Sequence, residues 1–370
     1  MNVAARVPEA GPPEAGRPEA GRPARRRARV NVPTVTLAHG GGGKAMRDLI
    51  DDVFLGAFDE HGLAPLEDQA RLSLEGGLAP GERLALTTDS YVVDPLFFPG
   101  GDIGRLAVYG TVNDLAVGGA TPLYLTCSAI IEEGLAVDTL RRVARSMAEA
   151  ATLCGVRIVT GDTKVVPRGA CDKLYLNTAG VGVLRTGISL GVDAARPGDR
   201  VLVNGVLGDH GAAILNARGD MALSSPIESD CAPLHGLIAG LLAAVPTVRF
   251  MRDLTRGGLA TVLNEAAEAS AVGIEIDEAA TPIREEVNGF CDILGFDPLY
   301  LANEGRIACV VPEEDAEVAL AALRAHEHGA GAAIIGRITE RPAGRVVMRT
   351  RFGGRRIVDM LVGDQLPRIC

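Results

Sequence analysis

Arg196-Pro197-Gly198-Asp199, running straight into Val201-Leu202-Val203, divides this chain in two. Proline presets φ and glycine reaches positive φ, so the first four residues read as a turn. The apolar triplet behind it reads as a buried strand. Upstream, Arg185 to Gly198 carries no sustained period, and a break between two lobes falls there. Working back from it, Leu174 to Leu184 and Val156 to Thr160 read as strands. Asp138 opens a helix with Leu140, Val143, Met147 and Ala151 on one face, ending at Gly155. Asp102 is a good N-cap for a helix reaching about Val117, where Gly118-Gly119 ends it. Leu84 to Thr88 reads as a strand and Asp48 to Phe58 as a helix. Working forward, helices are expected near 211–218, 233–244 and 257–271. Strands are expected at Leu299 to Ala302 and Ile307 to Val311. Past Val347 the chain is expected to run out to Cys370. This alternation predicts an α+β (mixed α/β) fold in two lobes. The expected divisions are a tail over 1–30, a first lobe over 31–190, a second over 191–346 and a C-terminal segment over 347–370.

Composition narrows the function. The chain has no tryptophan and only 4% aromatics, so its core must rest on Leu, Val, Ile and Ala. A formal charge of −10 argues against a nucleic-acid surface and suits an enzyme that holds a cation. The most apolar stretch, Leu237 to Val245, ends at Pro246 and is about half of the ~20 residues a membrane span needs. No apolar h-region opens the chain, so no secretory signal is expected. Seven cysteines without a CxxC pair read as reduced thiols in the cytoplasm. Residues 1–30 repeat PEAG from Pro8, Pro13 and Pro18 and then carry Arg25 to Arg27. Such composition cannot bury a core, and the tail is expected to be disordered.

Several constellations can carry chemistry. His39-Gly40-Gly41-Gly42-Gly43-Lys44 can bring backbone N–H groups against phosphate oxygens, or it can be a flexible hinge. It is not a Walker A loop, because Ala38 stands where a glycine is required and Ala45 where Ser or Thr is. Asp89 and Asp162 are read at strand ends. Asp114 falls on the apolar helical stripe of Ile103, Leu106, Ala107, Gly110 and Val117, where a carboxylate needs a salt bridge or a metal. Oxygen-only ligation of this kind suits Mg²⁺ held together with phosphates. Gly161-Asp162-Thr163-Lys164 offers a lysine as base or oxyanion holder, or a plain ion pair. Asp253-Leu254-Thr255-Arg256-Gly257-Gly258 reads as a helix cap with an open N-terminus, or as a packing turn. Asn303-Glu304-Gly305-Arg306 offers a general base at a strand end, or a surface turn. Gly208-Asp209-His210-Gly211 can cap a helix or line a cleft, and His326 and His328 read as loop residues. Cys370 places a thiol on the mobile end of the chain.

These segments together resemble one family. Gly40 to Lys44, Thr87-Thr88-Asp89-Ser90, Pro99-Gly100-Gly101-Asp102-Ile103-Gly104, Gly110-Thr111-Val112-Asn113-Asp114, Gly161 to Pro167, Leu301 to Gly305 and the ending Pro367-Arg368-Ile369-Cys370 are similar to the HypE family. Those proteins are carbamoyl dehydratases of [NiFe]-hydrogenase maturation, within the superfamily of aminoimidazole ribonucleotide synthetase. The resemblance covers roughly residues 34–370, and the PEAG tail lies outside it. It implies a dimerisation domain that pairs through β-sheets, forming a barrel, and a C-terminal α/β domain. It also implies a homodimer and ATP with Mg²⁺ in a cleft. A HypF-type carbamoyltransferase would load Cys370, and a HypC–HypD complex would accept the cyanide. On this reading Asp89, Asp114 and Asp162 hold the metal. Gly41, Gly42, Gly43, Lys44 and Asn113 join those acids around the nucleotide, and Lys164 and Glu304 act on the carbamoyl group attached to Cys370. Two rival readings are a small-molecule kinase or synthetase of the same superfamily, and a non-enzymatic scaffold whose thiol docks metal.

Overall fold

The computed structural model describes residues 29–40, 44–58, 77–219, 226–361 and 369. The first lobe opens with Lys44–Leu49 (α1) and Leu55–Phe58 (α2). Next come Arg83–Tyr91 (β1), a small hairpin of Phe97–Phe98 (β2) and Gly101–Asp102 (β3), and the helix Ile103–Val117 (α3). Ala120–Glu132 (β4), Val137–Leu153 (α4), Arg157–Val166 (β5) and Leu174–Leu184 (β6) complete it. The sheet order is β1-β6-β4-β5, parallel between β4 and β5 and antiparallel elsewhere.

Along β6, Leu174, Leu176, Thr178 and Gly180 are buried and alternate with less buried residues. That period of two marks a sheet covered on one face. The cover is α3 and α4. The α4 stripe of Leu140, Val143, Met147 and Ala151 is buried as its spacing demands. Each of the three larger side chains contributes roughly 1.5–3 kcal/mol by leaving water. Asp138 lies in the first turn of α4 and does not cap it; Ala136 holds the cap position. α3 is buried on nearly every side and lies very close to β1, since a Cβ at Gly110 would fall 2.3 Å from the Tyr91 hydroxyl. The other face of the sheet carries Leu84, Leu86 and Ile130, with Leu86 73% exposed in the single chain.

The second lobe is a seven-stranded sheet with helices on both faces. In chain order it holds Arg200–Val203 (β7), Asp209–Arg218 (α5), His235–Ala244 (α6), Phe250–Asp253 (β8), Gly258–Ala269 (α7), Gly273–Asp277 (β9) and Glu285–Leu294 (α8). Ile307–Val311 (β10), Ala316–Arg324 (α9), Ala333–Thr339 (β11), Arg345–Arg349 (β12) and Arg355–Val358 (β13) follow. The order is β13-β12-β9-β11-β7-β10-β8. β10 is buried along its whole length, as a strand covered on both faces must be.

Two further expectations are corrected. Leu299 to Ala302 is not a strand: Asp297 accepts from the Leu299 N–H and Pro298 follows it, a cap and first-turn pair that makes Pro298–Tyr300 a short 3₁₀ helix. The chain also does not run out past Val347. β12 pairs with β9, and β13 closes that edge of the sheet.

Candidate active site at the lobe junction

Asp102 starts the construction. Its carboxylate accepts from the Gly104 and Arg105 N–H groups at 2.8 and 3.1 Å and from the Ser146 hydroxyl at 2.7 Å. This cap fixes the start of α3 against α4. The far end of α3 then delivers Asn113 and Asp114 to the second lobe.

The two neighbours on α3 play different parts. Asn113 is 2% exposed, and its side chain is fully engaged: Nδ2 donates to Ala232 O at 3.0 Å and Oδ1 accepts from Leu234 N–H at 2.8 Å. It ties the lobes together. Asp114, about 100° further round the helix, accepts from the Thr87 hydroxyl at 3.1 Å.

Around Asp114 gather acids from both lobes. Asp89 lies on the helix-covered face of β1, opposite Thr178, with Thr87 two residues before it. Asp253 closes β8 and pairs with Ile307 on β10. Burial first, and then neighbouring charge, pushes the Asp114 carboxyl up to about 6 and that of Asp253 up to about 7.

Glu304 completes the group. It is 4% exposed, and burial together with Asp230, Asp253, Asp89 and Asp114 holds its carboxyl well above the usual range. Its Oε1 has no hydrogen-bond partner among the described residues. The loop carrying it is tied down by several contacts. Asp230 accepts from the Glu304 and Gly305 N–H groups at 3.0 and 3.3 Å and lies 3.5 Å from Arg306. A Cβ at Gly305 would fall 1.9 Å from the Asp230 carbonyl oxygen, so this close approach requires glycine. Asn303 joins three loops, donating to Leu254 O and Leu301 O and accepting from Gly208 N–H.

These donors suit a hard cation. They are all oxygens, they repel one another, and one is buried without a partner. Among the described residues, however, no three converge as a ready-made metal cage. Phosphate oxygens would have to complete the shell, which is the usual manner of Mg²⁺.

Asp162 and Lys164 do not join this group within one chain. They lie inside β5, not past its end. Asp162 is opposite Ser128, which is opposite Asn177, whose amide donates to Thr88 and Ser90 on the uncovered face. Asp89 is on the covered face. Asp162 and Lys164 pair with each other at 3.0 Å, with side chains 56% and 64% exposed. Lys164 holds the Asp162 carboxyl below the ordinary value. Lys44 is exposed and paired with Asp48 in the same helix. Gly41, Gly42, Gly43 and Cys370 lie outside the described residues. Asp253 was legible only as a cap, although it ends an apolar strand just as Asp89 was read to do. Asp230 carried no signal of its own, and Thr87 entered only within the segment Thr87-Thr88-Asp89-Ser90.

Residues 67–184 match the N-terminal domain of the AIR synthase related proteins, and residues 196–349 match their C-terminal domain. Carbamoyl dehydratase HypE of Rhodobacter capsulatus is 62% identical over 336 residues, covering 91% of this chain and 98% of that protein. The chain belongs to the HypE family. The crystal structure of the hydrogenase maturation protein HypE in complex with ATP is 51% identical, with a TM-score of 0.85 over 90% of this chain and 99% of that one. The HypE chain of a HypE–HypF complex is 47% identical, with a TM-score of 0.73 over 85% and 99%. The HypE family is enzymatic, and the mixed α/β architecture in two lobes is the HypE fold. Among the described residues no helix is long and apolar enough to cross a membrane.

Proposed function

We propose that this chain dehydrates a carbamoyl group carried on the sulfur of Cys370, using ATP, to give a thiocyanate. The thiocyanate supplies the cyanide ligand of the [NiFe]-hydrogenase iron. A HypF-type carbamoyltransferase loads the cysteine, a HypC–HypD complex takes the cyanide, and the work is done in the cytoplasm. The names of the relatives and the ATP and HypF complexes support this reading. The observation in the molecule that carries it is Glu304: a buried carboxyl with a free oxygen, set among acids, in the loop that the resemblance marks for the carbamoyl group.

Conversion of R–S–C(=O)–NH₂ to R–S–C≡N removes one oxygen and two nitrogen-bound protons. ATP, when bound, supplies the phosphoryl group with which the oxygen leaves as phosphate, and Mg²⁺ offsets the phosphate charge. Asp89, Asp114 and Asp253 would hold the metal together with phosphate oxygens. Gly41 to Gly43 and Lys44 would close over the phosphates. Glu304 would receive the amide: its unpartnered oxygen can accept an N–H, and with a cation nearby keeping the carboxyl ionised it can take that proton, the second nitrogen proton passing to water as phosphate leaves.

Lys164 and Asp162 enter through a homodimer. The exposed sheet face with Leu84, Leu86 and Ile130 is where a second copy would pack. The sheet has open edges at β1 and β5. Closing two such sheets into a barrel sets β5 of one copy beside β1 of the other. Lys164 of one chain would then steady the carbamoyl oxygen near Asp89 of its partner.

The test is mass spectrometry of the C-terminal peptide after incubation with the carbamoylating partner and ATP. Gain of one carbamoyl group followed by loss of one water is expected. Loading without water loss, or cyanide delivery by Cys370→Ala, defeats the proposal.

A further inference from the structure

Ile369 is buried, 6% exposed, in the apolar cluster that also holds Phe98, Ile214 and Ala302. Its carbonyl oxygen lies 3.0 Å from His210 Nε2. A carbonyl only accepts, so Nε2 carries the proton. Burial keeps His210 neutral by lowering its proton affinity, which leaves Nδ1 as an acceptor. The Ser229 hydroxyl donates to Nδ1 at 2.8 Å, and the Ser229 oxygen accepts from Cys231 N–H at 3.1 Å. One arrangement of protons therefore satisfies the whole line. Phe98 meets the imidazole edge-on, with ring centres 5.6 Å apart and an interplanar angle of 82°. The ring cannot turn over without breaking both of its bonds.

This line is built on the same loops as the acid group. Asp230, next to Ser229, accepts from the Glu304 and Gly305 N–H groups. Gly211, next to His210, donates to the Ala302 carbonyl at 3.0 Å, two residues before Glu304. Ser229 is also tied to the first lobe, since its N–H donates to Pro99 O at 2.8 Å.

We propose that His210 is the residue that seats the C-terminal tail. Its Nε2–H captures the Ile369 carbonyl and so sets how far Cys370 is carried toward Glu304. The purpose of the seat rests on the dehydratase reading; the contact itself does not. His210 is a positioning residue, since the group it holds is the backbone carbonyl beside the reacting cysteine. A backbone carbonyl is a handle that stays the same whatever the sulfur carries. One contact therefore serves the free, carbamoylated and dehydrated tail. A hydrogen bond between neutral groups is also weak enough to release, as a tail that must meet two partners requires.

The experiment uses the full chain. Removal of Cys370 and Ile369 by carboxypeptidase Y is timed by intact mass, and dehydration of the carbamoylated protein with ATP is followed in parallel. His210→Phe keeps a ring against Phe98 but removes the donor, and release is expected about tenfold faster, with dehydration slowed by a similar factor. His210→Gln keeps a donor of comparable reach and should recover most of both. Ser229→Ala, which frees the tautomer, should speed release about threefold. Equal release in the parent, His210→Phe and Ser229→Ala overturns the proposal. So does a folded His210→Gln that fails as badly as a folded His210→Phe, because ring packing would then be the whole effect. If His210→Phe does not melt cooperatively, unchanged release in Ser229→Ala overturns the proposal on its own. If the carbamoylated parent never loses water, the dehydratase reading falls, while the release rates still judge the seat.

Discussion

The acids at the lobe junction and the Asp162–Lys164 pair contain the same kinds of group and behave in opposite ways. At the junction, Asp114, Asp253 and Glu304 are withdrawn from water and face one another, so each holds its proton more tightly than a free carboxyl. On β5, Asp162 stands in water beside a lysine and gives its proton up more easily. Burial and the sign of the nearest charge, not residue type, set the difference. On the proposed function, the first region is the one that would receive a cation and a substrate. The second is a surface pair that gains a role only where another surface meets it.

The comparison breaks most sharply at Glu304 and Lys164. Glu304→Gln and Lys164→Ala should each keep the fold and ATP binding and lose about 10²–10⁴ in dehydration rate, the usual loss of an acid–base group. Normal thiocyanate yield from either variant removes that residue from the mechanism. Mixing the two inactive variants under conditions that exchange chains should restore about a quarter of parental activity if a site takes its lysine from the partner copy. No recovery would place both residues in one chain's site.

Asn113→Ala comes next. It leaves the Leu234 N–H and the Ala232 carbonyl without partners, and denaturant titration should show a loss of about 2 kcal/mol or more. An unchanged midpoint would mean that the clamp contributes nothing. Asp114→Asn should weaken Mg²⁺–ATP binding about tenfold by calorimetry, as loss of one charged oxygen from a magnesium site would. Unchanged affinity would refute the metal assignment.

A smaller effect separates the regions by pH. Asp114 and Asp253 bind protons more tightly folded than unfolded, so their contribution to stability is complete below the ordinary carboxylate range and is lost as pH rises through about 6 and 7. The melting temperature without metal should therefore fall between about pH 5 and 7.5. Asp253→Asn should flatten that fall, and a profile identical to the parent's would show that Asp253 is not a strained carboxyl. The smallest effect is expected on β5, where Lys164→Ala should leave the melting temperature unmoved, because an exposed ion pair contributes little. A clear drop would mean that this pair is not the surface feature it is in the single chain.

Local chemistry made much of the molecule legible. Asp102 followed by an apolar helix and Gly118-Gly119, the stripe on α4 and the limits of β6 all follow from side-chain period and capping, which act over a few residues. The acids Asp89, Asp114 and Glu304 were legible because a carboxylate near an apolar stripe or at a strand end needs an explanation. Asp253 had the same position and was read as a cap. Nothing within its own ten residues says that Asp114 and Glu304 face it.

The order of most elements, the two lobes and a first set of candidate acids belong to the sequence alone, because propensity, periodicity and burial cost are local. Tertiary structure decided which of those residues meet. A strand's period of two puts Asp162 on the face shared with Ser128 and Ser90, but only the packing of α3 and α4 makes that the face away from Asp89. Likewise, only the docking of the lobes, with Asn113 and Ser229 among its ties, brings residues 253 and 304 up to residues 89 and 114, in a medium poor enough in water for the charges to shift one another's protons.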